Sequence, residues 1–173
     1  INESSAWVDR SFEAMPQLIA RSNTLRQTKA FLVITNQNKG ISQIIDSRTG
    51  NIIEPQDALY TGRPLVVIQR QGNHYDAWTN PGQNVTFLEP DSDHPYYRVN
   101  TADSGNQWQP IAESGYCMTE ATAAALISRN RTQALAMGDI QEYARSLRND
   151  IRERIRTLNE TERQQLEAII PGE

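Results

Sequence analysis

The run Leu65-Val-Val-Ile68 constrains the fold more than any other segment of the chain. Four successive apolar residues between Pro64 and Gln69 are too few for a helix, and in a strand neighbouring side chains point to opposite faces. Both faces of this strand must therefore be covered, which calls for a layered domain with the strand inside its sheet. Gly72-Asn73 breaks the run, and His74-Tyr-Asp-Ala-Trp-Thr79 resumes as a second strand.

Around this pair the chain reads as α/β, strand-rich first and helical last. Phe31–Thr35 and Ile41–Asp46 are strands, and Asn36-Gln-Asn-Lys-Gly40 between them makes a hairpin. Ser47-Arg-Thr-Gly50 is a second turn, and Glu54–Tyr60 suits one short helix. Val85–Leu88 and Tyr96–Val99 are weaker strands, and Asn100–Gly115 reads as a long polar loop. Ser11–Ala30 is expected to be one helix, with Phe12, Met15, Leu18, Ile19 and Leu25 at helical spacing and Pro16 near its start.

Helical spacing returns at Cys117, with Met118, Ala121, Ala124 and Ala125 on one face. Asp139 and Glu142 form a capping-box pattern ahead of the stripe Ile140, Tyr143, Leu147, Ile151, Ile155 and Leu158. Arg145, Arg148, Arg152, Glu153 and Arg156 oppose that stripe and read as a solvated surface. A last helix is expected from about Glu160 to Ile170, before Pro171-Gly172. The expectation is one domain over residues 1–173, a central sheet flanked by helices. The chain opens on Ile1 and not Met, so a fragment of a longer protein is expected.

Composition removes several function classes. The 173 residues carry a net charge of −4 with both signs interspersed, which argues against a nucleic-acid binder. No apolar run approaches the ~20 residues that span a bilayer. The single cysteine rules out an internal disulfide and is compatible with a reducing compartment. His74, His94 and Cys117 match no zinc spacing, so no metal and no cofactor is expected.

Two residues carry the chemistry. Cys117 follows the Gly-containing segment Glu113-Ser-Gly-Tyr116 and opens an Ala-rich helix. A thiol there faces the positive end of the helix dipole, which is expected to lower its pKa and favour the nucleophilic thiolate. Neighbouring amides can converge on an oxyanion. A lone cysteine is also commonly a small buried hydrophobe. His74 begins a strand, and Asp76, two residues on, shares its face. That carboxylate can orient the imidazole, as the third member of a nucleophile–base–acid set does. His94, in Pro90-Asp-Ser-Asp-His-Pro95, reads as a surface turn residue. Trp78, Trp108 and Tyr116 are ordinary packing aromatics or the lining of a substrate cleft.

The segment Trp108-Gln-Pro-Ile-Ala-Glu-Ser-Gly-Tyr-Cys-Met-Thr-Glu-Ala resembles the cysteine motif of the ovarian-tumour (OTU) family of deubiquitinases. Asn73-His-Tyr-Asp-Ala-Trp78 resembles that family's histidine motif, and Tyr143-Ala-Arg-Ser-Leu-Arg148 its next helix. The order is reversed, since most members place the cysteine first. The resemblance therefore implies a circularly permuted, papain-type OTU-like fold with a mostly antiparallel sheet, as in bacterial effector deubiquitinases. It implies Cys117 as nucleophile, His74 as general base, Asp76 as its orienting acid, and an oxyanion loop of Ser114, Gly115 and Tyr116. Ser114 stands where the family usually has an acid. Ubiquitin or polyubiquitin is the implied partner, a monomer the implied state, and the host cytoplasm the implied place of action.

Two other classes stay open. Adenovirus-type thiol proteases, which act on ubiquitin-like modifiers, run His, acid, Gln, Cys, matched here by His74, Asp91 or Asp93, Gln107 or Gln109, and Cys117. A ubiquitin- or protein-binding module with an inert Cys117 is the non-enzymatic alternative.

Overall fold

The computed structural model describes residues 14–36, 40–58, 61–72, 74–79, 85–100, 107–109, 116–128 and 136–169, and of residues 78, 79, 107–109 and 169 the backbone alone. Along the chain these form helices α1 (Met15–Ala20) and α2 (Asn23–Thr28), strands β1 (Phe31–Thr35) and β2 (Ile41–Asp46), and the short helix α3 (Pro55–Ala58). Strands β3 (Leu65–Gln71), β4 (His74–Thr79), β5 (Phe87–Leu88), β6 (Arg98–Val99) and β7 (Gln107–Gln109) follow. Helices α4 (Cys117–Ser128), α5 (Met137–Arg156) and α6 (Glu160–Ile169) complete them.

The main sheet is mixed, in the order β2-β1-β3-β4-β7. Only β1 and β3 run parallel; β1–β2, β3–β4 and β4–β7 are antiparallel ladders. β3 lies in the middle, and Val66, Val67 and Ile68 are each fully buried. Alternation then sorts the two faces. Leu32, Ile34, Val66, Ile68, Tyr75 and Ala77 face one core, shared with residues of α1, α2, α4, α5 and α6. Phe31, Val33, Ile44 and Val67 face a second, smaller core closed by Ala58 of α3 and by Val85 and Val99 near the β5–β6 pair. Helices thus do not flank the sheet evenly. The long ones share one face, and the other is covered by one short helix and a two-stranded ribbon.

Three local expectations are corrected. The first helix is two. Ser22 leaves helical geometry at φ −58°, ψ 150°, and its side chain accepts from the Leu25 N–H, capping α2. Residues 11–13 of that expected helix lie outside the described residues. The capping box at Asp139 is absent: α5 begins at Met137 after Ala136, with no side-chain cap, so Asp139 lies in the first turn. The expected loop 100–115 contains β7, which pairs with the far end of β4. A three-residue strand of Gln-Trp-Gln has too little periodicity to be seen alone.

α4 also departs from expectation. Ala121, Ala123, Ala124 and Ala125 are buried, and so are Thr119, Thr122 and Ser128, so the helix has no solvated face. It runs between the β3–β4 part of the sheet and α5. Small side chains allow that close approach on all sides.

Candidate active site

β3 and β4 form a hairpin whose last pair is Gln71 opposite His74. Gly72 makes the turn at φ +61°, a conformation that favours glycine. His74 is therefore the first residue of β4, at the end of the sheet. Asp76 lies on the same face, and its Oδ1 is 2.8 Å from His74 Nε2. An ionised carboxylate can only accept, so Nε2 carries the proton and Nδ1 of the neutral ring keeps its lone pair. Nδ1 is buried and has no hydrogen-bond partner among the described residues. Orphaned buried polar atoms are rare in folded proteins, and reactive groups are one recognised reason for them.

Cys117 is the first residue of α4, is buried, and belongs to the helix-side core. β7 covers only Ala77, Trp78 and Thr79 of β4, so Tyr75 lies beyond its reach. The backbone amides of Tyr75, Met118 and Cys117 itself lie near enough to the Cys117 sulfur to favour its ionised form. The sulfur thus sits one residue from His74 along the strand. No hydrogen bond joins it to His74 Nδ1 in this state.

The expected lowering of the Cys117 pKa is overturned. Burial pushes the thiol above its ordinary value, and the nearby Glu120 charge adds to the rise. The three amides act in the opposite direction without prevailing. The helix start does direct N–H groups at sulfur, but it does so inside the core, where desolvating a thiolate outweighs them. Tyr75, also buried, is shifted upward for the same reason.

The turn before Cys117 is anchored from α5. Arg148 lies with its guanidinium 4.0 Å from the centre of the Tyr116 ring. Its Nη1 donates to Thr119 Oγ1 at 3.0 Å, and that hydroxyl donates to the Tyr116 carbonyl at 3.0 Å. Arg148 is therefore not part of a freely solvated face. It follows the core residue Leu147 and so stands at the edge of the apolar stripe, where a long side chain can reach a neighbouring helix. That position was the only signal in the sequence. Glu120, buried in the first turn of α4, was also missed.

Of the other expected site residues, Tyr116 is exposed. Ser114 and Gly115 lie outside the described residues, as does Glu113. Trp78 and Trp108 are directly opposed in the β4–β7 register. Their side chains lie outside the described set. His94 sits in a surface turn, its backbone N–H donating to Asp91 Oδ1 at 2.7 Å. Asp91 also pairs with Arg98 at 3.0 Å. Among the described residues no three His, Cys, Asp or Glu side chains gather as metal ligands, and no helix is long and apolar enough to cross a membrane.

No protein-family model, no curated protein and no solved structure matches the chain.

Proposed function

We propose that the chain is a thiol hydrolase of OTU-like, circularly permuted architecture that cleaves the (iso)peptide bond at the C-terminus of ubiquitin. One observation carries the reading: His74 is held through Nε2 by Asp76 while its buried Nδ1 has no partner among the described residues, one residue from the Tyr75 amide that meets the Cys117 sulfur. A general base needs this arrangement, with one nitrogen fixed and the other open.

In the proposed reaction Nδ1 takes the Cys117 proton as the thiolate attacks the carbonyl carbon. Amides of the Ser114–Cys117 segment hold the resulting oxyanion. The imidazolium, stabilised by Asp76, returns the proton to the leaving amine and leaves a thioester on Cys117. Water, deprotonated by the same nitrogen, hydrolyses the thioester and restores the thiol. Substrate binding must first bring Nδ1 and the thiol within hydrogen-bond reach, a closure that free enzymes commonly leave incomplete.

The His74–Asp76 contact favours this reading over the adenovirus-type arrangement, which needs Asp91 or Asp93 beside the histidine. Asp91 is committed to His94 and Arg98, and Asp93 donates its own N–H to Asp91 at 2.9 Å. The burial and raised pKa of Cys117 favour the second reading, a ubiquitin- or protein-binding module with an inert thiol. A ubiquitin probe with a thiol-reactive C-terminus separates the two. Labelling of the wild type, lost in Cys117→Ala, is expected. An unlabelled wild type, or equal labelling of both, removes the hydrolase reading.

A further inference from the structure

The Cys117 site is braced by a residue from a different helix. Arg148 projects from α5 onto the first turn of α4, touching the Tyr116 ring on one side and the Thr119 hydroxyl on the other. Through Thr119 it also reaches the Tyr116 carbonyl, which already accepts from the Glu120 N–H at 2.9 Å. The peptide immediately before the nucleophile is thus held at its ring and its carbonyl. Glu120 lies one helical turn after Cys117, buried, with its charge acting on both the thiol and Arg148.

We propose that Arg148 is a positioning residue for Cys117: it clamps the Tyr116 turn and holds a positive charge against Glu120 beside the thiol. The proposal deepens the thiol-hydrolase reading and rests on it for its purpose. Without Arg148, Glu120 would keep its charge beside the thiol and lose the cation that acts on it from α5. The other groups acting here are Tyr75 on β4, which faces Cys117, and Tyr116, Arg145 and Arg152, which act on Arg148.

Cys117 is the only cysteine, so alkylation by iodoacetamide reports on it alone. The rate is measured against pH for the wild type, Arg148→Met, Arg148→Lys, Glu120→Gln and the double variant Arg148→Met/Glu120→Gln. Arg148→Met is expected to raise the midpoint by about one pH unit, since it removes the cation that acts on Glu120. Below the midpoint the rate then falls about threefold, because the loss of thiolate is partly offset by its higher nucleophilicity. Glu120→Gln is expected to lower the midpoint, and the double variant to return towards the wild type. Arg148→Lys, which keeps the charge, is expected to rescue most of the shift. A role confined to packing would move the melting temperature and leave these midpoints together.

Tyr116→Leu covers the case in which Arg148→Met does not fold. It changes an exposed ring, frees the guanidinium, and is expected to shift the midpoint in the same direction. Unmoved midpoints in the folded Arg148 and Tyr116 variants overturn the proposal. The ubiquitin probe is read separately. An unlabelled wild type with shifted midpoints removes the ubiquitin reading and leaves the role of Arg148. A labelled wild type with unmoved midpoints does the reverse.

Discussion

Nε2 of His74 lies 2.8 Å from Oδ1 of Asp76, two residues further along the same strand, and this contact leaves Nδ1 as the ring nitrogen that Asp76 does not hold. The strand supplies the spacing, since residues two apart share a face. The hairpin turn at Gly72 places the pair at the sheet's end. On the thiol-hydrolase reading proposed above, Asp76→Ala is expected to reduce ubiquitin cleavage by roughly 100-fold, the lower range for a positioned acid–base group. Asp93→Ala, in the exposed turn, is expected to leave the rate unchanged. Steady-state hydrolysis of a ubiquitin C-terminal amide substrate checks both, and the opposite ranking would point to the adenovirus-type arrangement.

The raised Cys117 pKa makes a statement about stability as well as reactivity. The folded state holds the thiol proton more tightly than the unfolded chain, so this contribution is fully present below the unfolded value of about 8.5. It is lost as pH rises from there through the folded value. Tyr75 and Tyr143, shifted in the same direction by burial, extend the loss further up the scale. Urea unfolding between pH 7 and 10 is expected to show falling stability, with a shallower fall in Cys117→Ser. Equal slopes for the two proteins would contradict it.

On the acid side the informative pair is Arg63 and Asp46. The guanidinium donates to both carboxylate oxygens, to Oδ1 at 2.6 Å and to Oδ2 at 3.1 Å, and lies 3.9 Å from the centre of the Phe31 ring. Arg63 holds the Asp46 carboxyl below its ordinary pKa. The contribution is present above the unfolded value of about 3.9 and disappears as pH falls through the folded one. Asp46→Asn is expected to cost about 1–3 kcal/mol at pH 7. The gap to the wild type should narrow as pH falls below that unfolded value, as read from denaturant midpoints.

α4 tests the packing. Ala124 is fully buried in a helix with no solvated face. Ala124→Leu is expected to destabilise the protein by about 1–3 kcal/mol through overpacking. A solvated helix would accept the same change within a few tenths. Because α4 starts at Cys117, probe labelling should weaken along with stability.

The elements most legible in the sequence were those with strong local signals. Leu65-Val-Val-Ile68 needed cover on both faces and has it, and the Ile140–Ile155 stripe faces the core as its period requires. β1 and β2 pair as an antiparallel ladder, and the Gly40 N–H donates to the Asn36 side chain at 3.0 Å. Features that depend on distant partners were hidden. β7 exists because β4 offers it an edge, not because Gln107-Trp-Gln109 favours a strand. Helix boundaries at Arg21–Ser22 and Ala136–Met137 also escaped, since a cap is decided by a few atoms and not by periodicity.

By itself the sequence determined the His74–Asp76 pair and the start of α4 at Cys117, because strand alternation and helix initiation are local properties of the backbone. Only the tertiary structure decided what surrounds them. It set the Tyr75 amide against the Cys117 sulfur, left His74 Nδ1 buried without a partner among the described residues, and brought Arg148 across from α5. It also reversed the direction of the thiol's pKa. A helix dipole can be read from position along the chain, but desolvation depends on the atoms that close over the site, and these come from every element of the fold.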